Sequence, residues 1–237
     1  MVASSSVEGE LKEKIKELRA ENATLRKAAG IKSKEVIKKS ESNAEGSDPD
    51  VDDYKETGIV RLVISRGGWL AVFLVSLSLT SLVMTGFENT LEKHIELAYF
   101  VPLMIGHGGN AGGQTLGTVL SAMARGQIGK NDWFSVLVKE CAVGLGTGSC
   151  VGVATLPLLM ALKIPTHISV AIMLTMPFLT VLAAGLAAIL PFACHAVGFD
   201  PSVVAAPAMT TLVDVGGILV YFLTAQMVFR YFGIALS

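Results

Sequence analysis

The stretch ISVAIMLTMPFLTVLAAGLAAILPFACH, from Ile168 to His195, runs 28 residues without an Asp, Glu, Lys or Arg. The hydrocarbon core of a bilayer is about 30 Å thick, and about 20 mainly apolar residues cross it as a helix, whose backbone bonds are all internal. This stretch is therefore a membrane span with length to spare for tilt. Four further segments qualify, approximately Trp69 to Phe87, Leu97 to Ala124, Trp133 to Ala161 and Ser202 to Gly233. The fold expected is an all-α membrane protein of five transmembrane helices.

Charge is segregated accordingly. Residues 1–60 hold 11 of the 19 Lys and Arg and 13 of the 20 Asp and Glu, although the chain is 51% hydrophobic and only 16% charged overall. An ordinary soluble enzyme domain is excluded, and a net charge of -1 gives no sign of a nucleic-acid partner. Cys141, Cys150 and Cys194 lie inside apolar stretches with no C-x-x-C spacing, as small buried hydrophobes rather than a disulfide framework.

Three regions follow. In residues 1–30 the spacing Leu11, Ile15, Leu18, Asn22, Leu25 alternates four and three, the pattern of a parallel two-stranded coil. It covers so few turns that a lone amphipathic helix is an equal reading. Residues 31–60, ending around the acidic run Asp48, Asp50, Asp52 and Asp53, have too few large apolar residues to fold and read as a flexible linker. Residues 61–237 form the membrane domain. Arg61, Arg66, Arg125 and Lys130 on one side against Lys93 and Lys163 on the other place the N-terminus in the cytoplasm by the positive-inside rule.

Twenty of the 24 glycines lie in the membrane region. Gly144, Gly148 and Gly152 recur every fourth residue and form a smooth helix-packing surface, and Glu140 continues the same face toward the protein interior. The second span contains Gly106-His-Gly-Gly-Asn110-Ala-Gly-Gly-Gln114-Thr115, with five glycines in eight residues. Such a density predicts a break in the helix, tolerated where it faces protein or water, and exposed carbonyls at a break hold ions in transporters. Gly109, Asn110 and Gln114 are candidates there. A phosphate cradle is not supported, because no Lys-Ser/Thr ending or preceding strand is present.

An ionisable group at mid-membrane costs about 2.5–3.5 kcal/mol on insertion scales, so each is a candidate for function. Asp214 and Glu140 qualify, whereas Lys139 reaches the interface along its stem. On the last span Pro207, Thr211, Asp214, Gly217 or Ile218, and Tyr221 share a face at steps of three and four, with Thr210 adjacent. Carboxylate, hydroxyls and a proline-loosened carbonyl are oxygen donors suited to a hard divalent cation. His107, His167 and His195 have no metal-ligand spacing.

With these residues identified, the chain resembles the membrane domain of the MgtE-type magnesium channel and transporter family. The resemblance covers about residues 60–235. It rests on Pro102-Leu-Met-Ile-Gly-His-Gly-Gly-Asn-Ala-Gly-Gly-Gln114, and on Asp200-Pro201 followed by Thr210-Thr211-Leu-Val-Asp214-Val-Gly216. It implies a homodimer with the ion path along its axis, Asp214 as the selecting residue and Mg2+ as the transported and pore-bound ion, without a catalytic cofactor. Bacterial members also carry an N-terminal domain and paired CBS sensor domains, which residues 1–60 are too short to hold, so the coil is expected to replace part of that dimer surface. Two alternatives stay open: transport of another divalent ion such as manganese or cobalt, and a non-conducting subunit pairing with a fuller homologue. An intramembrane protease is disfavoured, since an aspartyl mechanism needs two close carboxylates and the chain offers one deep Asp with no G-x-G-D motif, and Ser149 has no histidine partner at recognisable spacing.

Overall fold

Long apolar runs become helices here because only helices leave no backbone group unbonded in hydrocarbon. The computed structural model describes residues 58–234, together with Glu13 and Lys14. Within them the order is α1 (Ile59–Leu77), α2 (Leu79–Gly86), α3 (Glu88–Lys93), α4 (Glu96–Ala124), a single 3-10 turn (Lys130–Asp132), α5 (Trp133–Ala161), α6 (Thr166–Val197) and α7 (Pro201–Tyr231). No strand is present among the described residues. The chain divides into two units, residues 1–62 and 63–237. In the first, Glu13 and Lys14 are helical and exposed; the coil and linker expectations lie outside the described residues.

Four stretches among the described residues are long and apolar enough to cross a membrane: Ile59–Gly86, Lys130–Ala161, Thr166–Val197 and Pro201–Tyr231. The last three match the expected spans within a few residues. The first starts earlier than Trp69 and is interrupted at Ser78, whose hydroxyl bonds back to the Leu74 carbonyl at 3.1 Å. The 29-residue α4 is long enough, but Glu96, His107, Asn110, Gln114 and its glycines keep it from being apolar enough to join that set.

The expected break in the glycine-rich segment is corrected by the structure, since α4 is helical without interruption from Glu96 to Ala124. Tertiary packing overrides the propensity cost, about 1 kcal/mol per glycine relative to alanine. An added Cβ on Gly108 would lie 2.7 Å from Val213 Cγ1 and 3.1 Å from Leu179 Cδ1, and one on Gly112 would strike Met209. The inward glycines thus let α6 and α7 close onto a continuous helix.

At the centre lies α6, in contact with α4, α5 and α7, while α7 also packs on α4. Lipid is as apolar as Leu, so close fit rather than water exclusion holds membrane helices together. The expected packing role of Gly144, Gly148 and Gly152 is realised at the α5–α6 seam. A Cβ on Gly148 would stand 2.6 Å from Pro177 Cα, and one on Gly152 2.5 Å from the Met173 carbonyl. Pro177 has no N–H, so the Met173 oxygen lacks its helical donor, and the bare Gly152 surface lies against it. One core cluster joins Met104, Ile172, Met176, Leu179, Tyr221 and Phe222, and the fully buried Tyr221 hydroxyl donates to the Leu97 carbonyl at 3.2 Å.

The turn from α6 to α7 shows why Asp200 and Pro201 stand together. Gly198 closes α6 in the left-handed region (φ 80°), which glycine adopts without strain. Asp200 then accepts a 2.8 Å bond from the Ser202 N–H as the cap of α7, and Pro201 takes the first helical position. Trp69 of α1 meets Phe199 of this turn edge-on, with centroids 5.6 Å apart.

Candidate functional site

The face expected on α7 is divided: Tyr221 is buried against Leu97 of α4 and lines no cleft with the others. Pro207, Thr210, Thr211 and Asp214 line one cleft of about 440 Å3, whose opposite wall is apolar and comes from α1, mainly Leu70, Phe73 and Leu74. Thr211 donates to the Pro207 carbonyl at 2.9 Å, and Thr210 donates to the same carbonyl at 3.0 Å and to Ala206 at 3.2 Å. A hydroxyl bonded back to its own helix has spent its one hydrogen, so its remaining lone pairs are acceptors only. Thr210 is exposed and Thr211 buried, which makes the Thr210 oxygen the more accessible of the two. Asp214 is half-buried, and among the described residues no hydrogen bond or ion pair engages its carboxylate.

Glu140 is not among the residues lining that cleft. It is half-buried on α5 and accepts a 3.4 Å bond from the Thr115 hydroxyl of α4, a long bond for a hydroxyl donor. No three His, Cys, Asp or Glu side chains come together as a metal cage among the described residues.

Of the α4 candidates, Asn110 and Gln114 are exposed and Gly109 is half-buried. Gly106, Gly113 and Gly117 share this exposed face, and a Cβ on any of them, or on Gly109, would meet nothing within 4 Å. Since α4 packs on α7 through Gly108 and Gly112, two helices side by side carry the polar open face and the Asp214 face.

Three elements of this arrangement escaped sequence reasoning. The α1 wall opposite Asp214 has no motif. Thr115 and Thr180, the partners of Glu140 and His107, lie 25 and 73 residues away along the chain, beyond any periodic signal.

Residues 101–224, just over half of the chain, match the MgtE family model, described as a divalent cation transporter. The chain belongs to the MgtE family. Among curated relatives, the magnesium transporter MgtE of Thermus thermophilus is 34% identical over 179 residues, 73% of this chain and 38% of that protein. The Enterococcus faecalis magnesium transporter MgtE is 28% identical over 186 residues, 77% of this chain and 40% of its own length. A third MgtE magnesium transporter, from Bacillus subtilis, is 26% identical over 157 residues, 65% of this chain and 34% of that protein. The chain thus spans about two fifths or less of these relatives, and the matched part includes α7 through Asp214 and the whole glycine-rich segment of α4.

Proposed function

We propose that this chain carries Mg2+ across a membrane as a homodimer, with Asp214 recognising a largely hydrated ion. The observation that carries the reading is the half-buried carboxylate of Asp214, on a helix long and apolar enough to cross a membrane and with no charged partner among the described residues. A buried charge of this kind is stable when a visiting cation compensates it, and two copies facing one another repel unless a cation stands between them. Magnesium sheds its water reluctantly, so Asp214, the Thr210 oxygen and the amides of Asn110 and Gln114 grip the ion through its hydration shell. Glu140, Thr211 and Gly109 shape the surrounding wall.

In this reading α4 also crosses the membrane, as the second of five spans in chain order. Its open polar face is unsuited to lipid, because an unsatisfied amide in hydrocarbon costs several kcal/mol. A second copy and a water-filled path between the copies give that face its surroundings. Residues 1–30 serve as a cytoplasmic helix, coiling with the partner copy, and residues 31–60 as a linker to the membrane domain of residues 61–237.

Uptake into liposomes containing only the purified full chain tests the function. With an inside-negative potential, external Mg2+ enters faster than into protein-free vesicles, and Mn2+ or Co2+ in equal concentration leaves most of that uptake in place. Uptake no faster than in protein-free vesicles overturns the reading, and preferential entry of Mn2+ or Co2+ changes the ion.

A further inference from the structure

His107 sits in the glycine-rich segment of α4, and its Nε2 lies 2.8 Å from the Thr180 hydroxyl oxygen of α6. That hydroxyl has one hydrogen and donates it to the Met176 carbonyl at 2.7 Å. Thr180 is buried, with the bare surface of Gly148 closing its other side, where a Cβ would stand 2.7 Å from the hydroxyl. With the Thr180 hydrogen directed at Met176, the Nε2–Thr180 contact is made by an Nε2 hydrogen donated to the Thr180 oxygen. In the neutral ring this fixes the tautomer, and Nδ1 is left as a bare lone-pair acceptor.

Nδ1 has no hydrogen-bond partner among the described residues, and no side-chain nitrogen or oxygen there is both buried and unbonded. The atom consequently keeps access to the surface of the bundle. His107 is half-buried and lies one turn before Asn110 and two before Gln114, at the edge of the open face that Gly106, Gly113 and Gly117 leave uncovered. Against lipid a bare acceptor loses the hydrogen bond it makes in water; against a watered path it does not.

We infer that His107 is an ion-binding residue of this face, held by Thr180 so that Nδ1 accepts a hydrogen bond from the water shell of the passing dication. The inference rests on the transport reading above. Water bound to a divalent ion is polarised and donates more strongly than bulk water, so a rigid acceptor without a hydrogen suits it. The amide nitrogens of Asn110 and Gln114 are donors and cannot replace it, although their oxygens act beside it.

Two substitutions separate this role from that of a strut between α4 and α6. The Gln side chain of His107→Gln reaches the Nε2 position and keeps a donor for Thr180, but lacks an acceptor at the Nδ1 position. The shorter His107→Asn places its amide oxygen near Nδ1 and releases Thr180. Mg2+ uptake as a function of concentration is measured for wild type and both full-length variants in liposomes, after size-exclusion chromatography shows each to be folded. His107→Gln raises the half-saturating concentration about tenfold, the scale of one lost charge-assisted hydrogen bond, whereas His107→Asn, which keeps an acceptor near Nδ1 but loses its anchor, raises it less. The reverse order, or equal behaviour of the two, overturns the inference. Should His107→Asn fail to fold, a wild-type curve for His107→Gln alone is sufficient to overturn it. Absence of uptake by the wild type removes the transport reading and this inference with it; a wild type that conducts leaves the transport reading intact whatever the variants do.

Discussion

The molecule contains two sets of glycines at helical spacing, and they do opposite things. At the α5–α6 seam Gly144, Gly148 and Gly152 lie against α6 backbone, where added Cβ atoms would come within 2.5–3.0 Å of Thr180, Pro177 and Met173 atoms. On the outer face of α4, Gly106, Gly109, Gly113 and Gly117 have no neighbour that a Cβ would meet within 4 Å. The first set is explained by this chain alone. The second is a surface that no described residue covers, interleaved with Asn110 and Gln114, which lipid disfavours. Glycine spacing in a membrane helix thus marks a close approach only where the structure supplies the approaching backbone, as at the α5–α6 seam.

The contrast is best attacked by making the same chemical change on both sides of it. Gly148→Ala pushes a methyl group into Pro177 and Thr180 and lowers bundle stability by about 1–3 kcal/mol, the usual cost of overpacking. Thermal unfolding in detergent reads this as a lowered midpoint, and an unchanged midpoint means that the seam has slack. Gly113→Ala meets nothing among the described residues and gains up to about 1 kcal/mol of helix propensity, so its midpoint stays level or rises. A fall comparable to that of Gly148→Ala would show that the α4 face is packed against protein in the detergent-solubilised state. Smaller again is Thr115→Val, which removes the 3.4 Å bond to Glu140. A bond that long contributes at most about 0.5 kcal/mol, and the expected shift in midpoint is about 2 °C or less.

Much of this architecture was legible in the sequence because lipid leaves the backbone few choices. The runs Trp133 to Ala161, Ile168 to His195 and Ser202 to Gly233 gave α5, α6 and α7 within a few residues at each end, and steps of three and four placed Thr211 beside Asp214. The continuity of α4 was hidden, since propensity penalises Gly108 and Gly112 while the compensation comes from Leu179, Met209 and Val213, distant along the chain. For the same reason no local pattern revealed that Thr180 holds His107, that α1 walls the cleft of Asp214, or that Ser78 interrupts the first apolar run. Asp200-Pro201 was visible as a motif; its role as a helix cap needed the backbone.

The central claim is that Asp214 remains a membrane-embedded charge because a hydrated dication compensates it. Its most direct test is Mg2+ uptake into liposomes by the folded full-length Asp214→Ala variant beside wild type, under an inside-negative potential and with Na+ and Ca2+ as competitors. Uptake falling to the protein-free rate, or losing its preference for Mg2+, is the predicted result. Wild-type rate with wild-type preference in the variant would contradict the account.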